Sequence, residues 1–317
     1  MNFSILGTGM FVPEKIVTND DMAQIVETDD EWIRQRVGIA RRHVCTTETT
    51  TDLAYGAAVA ALENAGVKAE ELDMILSATV SGDYVSPSLA CMIQSRLGAS
   101  CPAYEINAAC AAFIFLLETA AGYFARGKAK KILIVGAERL SGITDYTDRS
   151  TCVIFGDGAG AAVLGEGDGY RDCVLHVTGG DDVLHIPRDA GASPFYRNEG
   201  FPPFIRMKGQ DTFRYAVSSI TSDVNELLER NGLRTEDIAF VVPHQANIRI
   251  IEFASRKLGI PMEKFAVNID RYGNTSSASI PIALDELARS GKLKRGDRII
   301  LTAFGAGLAS AACLIEW

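Results

Sequence analysis

The chain repeats itself, and that repetition limits the folds open to it. The stretch NAGVKAEEL at 64–72 resembles RNGLRTEDI at 230–238, so that Gly66 matches Gly232, 166 residues further on. Each stretch follows a helical pattern, at 51–64 and 212–231, and each precedes a short apolar strand, at 74–79 and 240–242. The match continues in the same order. ARG at 125–127, then KILIVG at 131–136, resembles ARSG at 288–291, then RIILT at 298–302. Small residues and a last strand close both stretches, at 159–165 and 309–316. Chance likeness between α/β segments explains one such block, whereas several blocks at nearly one offset point to duplication. The chain therefore reads as α/β, built as two βαβαβ-type halves, 1–170 and 171–317. Strands alternating with helices predict mainly parallel sheets covered on both faces. Between the halves, 181–208 is rich in Pro, Gly and Asp and reads as an irregular region walling a substrate site.

A 317-residue chain that is 47% hydrophobic holds enough apolar mass for a sizeable core. Its net charge of −9 leaves no global positive field for phosphates, which argues against nucleic acid as a general partner. The most apolar long stretch, 108–125, is Ala-rich, is broken by Glu118 and lies between two strand patterns. It reads as a buried core helix and not as a membrane span. Seven cysteines, an odd number with no CxxC pair and no zinc-ligand spacing, predict free thiols in a reducing, cytoplasmic compartment and no metal site. The opening Met1-Asn2-Phe3-Ser4 has no basic start, which predicts no signal peptide. GDGAGA at 156–161 has the letters of a dinucleotide fingerprint, but a strand pattern follows where that motif needs a helix, so it reads as a tight turn.

Three residues at predicted turns carry chemistry. Cys110 follows the strand pattern 103–107 and opens the apolar helix 111–125. A thiol at a helix N-terminus meets the positive end of the macrodipole and free N–H groups, which predicts a lowered pKa and a nucleophile. The other six cysteines read as inert buried thiols. His244 follows the strand 240–242 and Pro243 and precedes a helix at 246–258, at a strand's C-terminal end, where open α/β sheets place their chemistry. Asn274 lies in RYGNTSSAS at 271–279, read as a strand-to-helix turn. By the repeat offset, the region of Ser276 and Ser277 corresponds to Cys110. A fourth element, AFGAG at 303–307, has small residues that let backbone N–H groups approach a ligand, and Ala306 with the Cys110 N–H would form an oxyanion hole.

These residues together resemble the β-ketoacyl-acyl carrier protein synthase III family, condensing enzymes of thiolase fold. The resemblance spans essentially the whole chain. It includes Thr28-Asp29-Asp30-Glu31-Trp32-Ile33, Gly38-Ile39, Arg42-His43, Asn107-Ala108-Ala109-Cys110-Ala111 and Asp148-Arg149. It goes on through Phe155-Gly156-Asp157-Gly158-Ala159, Pro243-His244-Gln245-Ala246-Asn247 and Gly273-Asn274-Thr275-Ser276. The fold it implies is a layered αβαβα core. The reaction it implies starts with Cys110 taking an acyl group from acyl-coenzyme A. Malonyl-acyl carrier protein then loses carbon dioxide, and the carbanion attacks the acyl-cysteine. His244 and Asn274 would donate hydrogen bonds to the thioester oxygen. No metal or redox cofactor is implied. For coenzyme A the resemblance implies an adenine sandwich of Trp32 and Arg149, with Thr28 at the base. Arg36 would meet phosphates or pantetheine, and Gly209 and Asn247 the pantetheine amides. Arg214, Arg249, Arg256 and Lys257 form a basic segment suited to an acidic acyl carrier protein, and a homodimer is implied too.

Two positions depart from the family pattern. The family's three-glycine loop has Ala306 in its middle here. The residue before Pro87, usually aromatic and reaching the partner subunit's acyl pocket, is Ser86, which implies a roomier pocket for branched or longer primers. Phe304 stands where thiolases carry a second cysteine. The alternatives are a same-fold ketosynthase of secondary metabolism, a thiol-dependent acyltransferase or hydrolase, and a non-catalytic scaffold that binds acyl carrier protein. The last conflicts with the presence of all three polar residues.

Overall fold

Cap chemistry sets the ends of the first helix of the repeated pattern. The computed structural model describes residues 2–188, 195 and 202–317. The first repeat helix runs Thr50–Ala65: Thr49 and Asp52 exchange bonds as a capping box at its start, and Gly66 ends it at φ +64 in the left-handed region. Its counterpart runs Gly209–Arg230.

The strands in chain order are β1 (Asn2–Phe11), β2 (Ile16–Thr18), β3 (Arg41–His43), β4 (Met74–Ala78), β5 (Ala103–Glu105), β6 (Lys131–Glu138) and β7 (Gly158–Gly167). They continue as β8 (Tyr170–Gly180), β9 (Leu184–His185), β10 (Arg206–Met207), β11 (Phe240–Pro243), β12 (Arg298–Gly305) and β13 (Gly307–Glu316). The α-helices are α1 (Asn19–Ala23), α2 (Asp30–Val37), α3 (Thr50–Ala65), α4 (Leu89–Leu97) and α5 (Ala112–Ala125). After them come α6 (Arg149–Cys152), α7 (Gly209–Arg230), α8 (Ile248–Leu258), α9 (Ile269–Tyr272) and α10 (Ser279–Arg289).

Two sheets carry the architecture, in the orders β1-β7-β6-β4-β5 and β11-β12-β13-β8. The expectation of mainly parallel sheets is corrected here. β4 pairs parallel with β5 and β6, and β11 with β12, but β1–β7, β6–β7, β12–β13 and β13–β8 are antiparallel. The reason is local: β13 returns on β12 through Ala306 alone, and a connection that short can only make a hairpin. GDGAGA at 156–161 is not the expected tight turn: its last four residues, 158–161, already belong to strand β7.

The layers follow from which faces are apolar. α3 packs on one face of the first sheet, α5 and α10 on the other, and α7 and α8 cover the far face of the second sheet. This is the αβαβα order. α5 lies between the two sheets, which is why its residues are apolar nearly all round: Phe113, Ile114, Leu116 and Leu117 are fully buried. Glu118 is accommodated by a hydrogen bond from the Tyr170 hydroxyl. Within the expected irregular region, β9 and β10 form a two-stranded ribbon, while 189–194 and 196–201 lie outside the described residues.

Candidate active site

Backbone packing decides where Cys110 sits. A 3-10 turn, Ala109–Ala111, leads into α5, and Ala109 adopts φ +47. Gly305, at the end of β12, lies against this turn so closely that a Cβ there would stand 2.8 Å from the Cys110 amide nitrogen. Glycine at 305 is therefore a requirement of close approach. A second 3-10 turn, Ser276–Ala278, leads into α10, and Ser276 adopts φ +48. This turn is locked onto the first sheet. A Cβ on Gly136 of β6 would meet the Ser277 carbonyl oxygen at 2.5 Å, and the Ser277 hydroxyl donates to Glu138 at 2.7 Å. Glu138 is fully buried; it also accepts from Ser81 Oγ, Thr79 Oγ1 and the Val80 N–H, and burial pushes its carboxyl up.

One cavity of about 180 Å³ brings the sequence candidates together. Its lining includes Cys110, His244 and Asn274, with Ala306, Gly305, Ser276 and Phe304 beside them. Ile154, Phe155, Leu184, Ile186, Ile205 and Met207 make the walls apolar, so β9 and β10 do wall the site. His244 follows β11 directly, its N–H donating to the Thr302 carbonyl at 2.8 Å. Asn274 departs from expectation. It follows the short helix α9, and its strand-like contact is an isolated parallel bridge to Phe155.

The electrostatics are those of a buried neutral site. His244 is 2% exposed, and burial lowers its imidazole to about 3, so it is uncharged at neutral pH. Its Nδ1 lies 2.6 Å from Ser279 Oγ, which also accepts the Gln245 N–H at 3.4 Å. In the tautomer in which the Ser279 hydroxyl donates to Nδ1, the ring proton sits on Nε2, free for a ligand. The Phe304 ring meets the imidazole edge-on at 5.3 Å and keeps it in place. Asn274 Oδ1 accepts the Ser276 N–H at 2.8 Å, which leaves its amide N–H groups as the donors. Both side chains therefore offer donors and no charge.

The expected lowered pKa of Cys110 is corrected. The residue keeps some exposed surface, but the sulfur is set among apolar walls, and burial pushes the thiol up to about 12, with Glu138 adding to the rise. Ser276 acts the other way. Cys110 also lies in the 3-10 turn ahead of α5 rather than at its first residue, a step removed from the macrodipole. Of the other cysteines, Cys101, Cys152 and Cys313 are buried as expected, whereas Cys45, Cys91 and Cys173 retain partial exposure.

The remaining candidates divide. Gly209 and Asn247 line the cavity. Asn247 is also the N-cap of α8, accepting from the Arg249 N–H at 2.9 Å and donating to the Arg36 carbonyl at 3.1 Å. Arg149 stacks over Trp32 at 4.5 Å, which brings the pair together but leaves no gap for a ring between them. The buried Thr28 hydroxyl has no hydrogen-bond partner among the described residues. Arg36 is exposed beyond the lining. Arg214, Arg249, Arg256 and Lys257 are all exposed; Arg214 pairs with Asp211 at 3.0 Å, and Arg256 and Lys257 lie over Phe253. Ser86 does not line the cavity of its own chain and is exposed, next to exposed Tyr84 and Val85. Sequence reasoning missed Ser279 and Glu138, whose roles depend on contacts across 35 and 139 residues of chain.

A layered fold of this kind, with cysteine, neutral histidine and asparagine around one apolar cavity, defines an acyl-transferring, condensing enzyme of thiolase fold. The sequence profile of 3-oxoacyl-[acyl-carrier-protein (ACP)] synthase III matches residues 104–182, and the profile of its C-terminal part matches 228–317. The β-ketoacyl-[acyl-carrier-protein] synthase III of Clostridium acetobutylicum is 47% identical over 99% of this chain and 98% of its own. The crystal structure of 3-oxoacyl-[acyl-carrier-protein] synthase III from Aquifex aeolicus superposes with a TM-score of 0.93 at 44% identity, covering 99% of this chain and 100% of that one. The priming β-ketosynthase of the R1128 polyketide pathway also superposes at 0.93, at 35% identity, with 99% and 96% covered. The chain belongs to the β-ketoacyl-acyl carrier protein synthase III family.

Proposed function

We propose that this enzyme joins an acyl-coenzyme A primer to malonyl-acyl carrier protein in a decarboxylative Claisen condensation that initiates fatty acid synthesis. The observation that carries the reading is the convergence of Cys110, His244 and Asn274 on one apolar cavity. The Cys110 sulfur attacks the thioester carbonyl. Coenzyme A leaves as a thiol and takes up, in net terms, the proton Cys110 gives up. The N–H of Cys110 and that of Ala306 are the oxyanion donors in this step. Malonyl-acyl carrier protein then enters, its carboxylate leaves as carbon dioxide, and the electron pair is held as an enolate. His244 Nε2–H and the Asn274 amide donate to that enolate oxygen. Both donors are neutral and buried, so they stabilise a charge that exists only while the reaction proceeds. The enolate carbon attacks the acyl carbon, the carbon–sulfur bond breaks, and the thiolate recovers a proton from solvent. None of these steps calls on a metal or redox group.

Coenzyme A binding by Thr28, Trp32, Arg36, Arg149, Gly209 and Asn247 fits the unpartnered Thr28 hydroxyl and the Trp32–Arg149 stack, which an adenine would part. Docking of the carrier on Arg214, Arg249, Arg256 and Lys257 fits their exposure. The halves 1–170 and 171–317 each supply one main sheet, and seven unpaired thiols suit the cytoplasm. A homodimer fits exposed Tyr84 and Val85 near the edge strand β5, to which Glu105 ties the Leu89 N–H. In such a dimer Ser86 would face the partner's cavity and leave room for branched or longer primers. The polyketide-pathway neighbour favours one second reading, the same chemistry with a specialised product.

Mass spectrometry after acyl-coenzyme A, and again after malonyl-acyl carrier protein, tests the reading. It expects an adduct on Cys110 that disappears into 3-oxoacyl-carrier product, and no adduct in Cys110→Ala. Free acid without carbon–carbon bond formation would overturn it. A series of primers run with wild type and Ser86→Phe expects a narrower range in the variant, and activity confined to acetyl in wild type would remove the role of Ser86.

A further inference from the structure

The two 3-10 turns share a backbone but not a side chain. Ala109 and Ser276 hold φ +47 and +48, each as the first residue of its turn, and each turn runs straight into a core helix. In the first turn the strained position holds a methyl group, and the next residue is the nucleophile. In the second turn the strained position holds a hydroxyl. Ser276 is 3% exposed, and its Oγ lies 3.2 Å from Cys110 Sγ. Among the described residues, each of these two atoms is the other's only hydrogen-bond partner. The backbone aims the hydroxyl: the Ser276 N–H is held by Asn274 Oδ1 at 2.8 Å.

The sulfur needs such a partner. No lysine or arginine lines the cavity among the described residues, His244 is neutral, and the buried Glu138 carboxyl works against a negative sulfur. A thiolate forming there has no cation to stabilise it. We propose that Ser276 is a further catalytic residue, whose hydroxyl accepts from the Cys110 S–H at rest and turns to donate to the sulfur as its proton leaves. No covalent bond forms to the oxygen, and the hydroxyl keeps its own proton throughout. The proton lost by Cys110 ends on the departing coenzyme A thiol. Once the sulfur is acylated its negative charge is gone and the hydroxyl is released, so the bond is strongest when the nucleophile is charged. The effect of Ser276 on the thiol has the same sign, downward against burial. This proposal rests on Cys110 being the nucleophile.

The test is the pH profile of Cys110 alkylation by iodoacetamide, read by peptide mass spectrometry, for wild type, Ser276→Ala and Ser276→Gly, with acylation by acyl-coenzyme A measured alongside. Ser276→Ala keeps a side chain that φ near +48 tolerates at Ala109, and Ser276→Gly removes the strain altogether. Both variants are expected to run parallel to wild type but displaced to higher pH, with alkylation and acylation each about tenfold slower at any given pH. If both variants coincide with wild type, or if Gly restores the wild-type profile while Ala does not, the hydroxyl has no such role and the proposal falls. Should Ala fail to fold, Gly alone decides: a profile displaced to higher pH supports the proposal, and one that coincides with wild type overturns it. Acylation of wild type on a residue other than Cys110 would instead overturn the reading beneath it, and that result is distinguishable from a wild-type adduct on Cys110 with unmoved variants.

Discussion

At the scale of residues, the site is a set of neutral groups held in order by their neighbours. Ser279 Oγ lies 2.6 Å from His244 Nδ1, and a hydroxyl that donates there fixes the ring proton on Nε2. Ser279→Ala removes that control; condensation should fall about tenfold while the fold is retained. Steady-state kinetics with the unfolding midpoint checks this, and an unchanged condensation rate would remove Ser279 from the reaction. His244 also carries a pH signature. Burial holds it at about 3, whereas an unfolded histidine titrates near 6.5, so below that pH the unfolded chain binds a proton that the folded chain does not. The stability it affects is intact above 6.5 and drains as pH falls toward 3, at up to about 1.4 kcal/mol per pH unit. Denaturant titrations should show a shallower acid limb for His244→Asn than for wild type. The sequence singled out Cys110, His244 and Asn274, which the fold brings to one cavity, because few other residue types suit such chemistry at such turns. It hid the raised thiol and the lowered imidazole, since both arise from walls contributed by distant strands.

Elements explain which glycines matter. Gly305 ends β12 where the backbone presses on the turn that holds Cys110, so Gly305→Ala must displace Cys110 or the hairpin. Activity should drop by roughly a hundredfold or more, the scale of a lost oxyanion donor. Gly122 is the opposite case: it sits in α5, is exposed, and a Cβ there would have open space for 4 Å around it. Gly122→Ala should stabilise the protein by about 0.5–1 kcal/mol with activity unchanged, as thermal unfolding and rate assays would report. Helix positions were legible because caps and apolar period agree: the pattern at 51–64 became Thr50–Ala65. Sheet direction was not, because alternation of strands and helices says nothing of a last strand that turns back through one residue, Ala306. The approach to Asn274 was hidden for another reason: α9, which precedes it where a strand was expected, is only four residues long and leaves little periodic trace.

The whole molecule is acidic, yet it presents four exposed cations on or beside α8. If these guide the acyl carrier, reversing two of them acts at a distance from the chemistry. The double variant Arg249→Glu, Arg256→Glu should raise KM for malonyl-acyl carrier protein by about tenfold or more at low salt, with a smaller gap at high salt, and leave acylation by acyl-coenzyme A as in wild type. Equal KM values at all salt concentrations would move the docking site elsewhere. The internal likeness made two covered sheets readable in the sequence, and the family resemblance supplied their αβαβα layering. The contact between the halves was not readable, as a hydroxyl and a thiol 166 residues apart leave no joint mark in the sequence. The stack of Arg149 on Trp32 has a practical consequence. The chain has two tryptophans, and the other, Trp317, lies under Arg295 at the chain's C-terminal end. A flat base sliding between indole and guanidinium would change the light emitted by one tryptophan and leave the other as a built-in reference, so occupancy could be followed in real time on unlabelled protein.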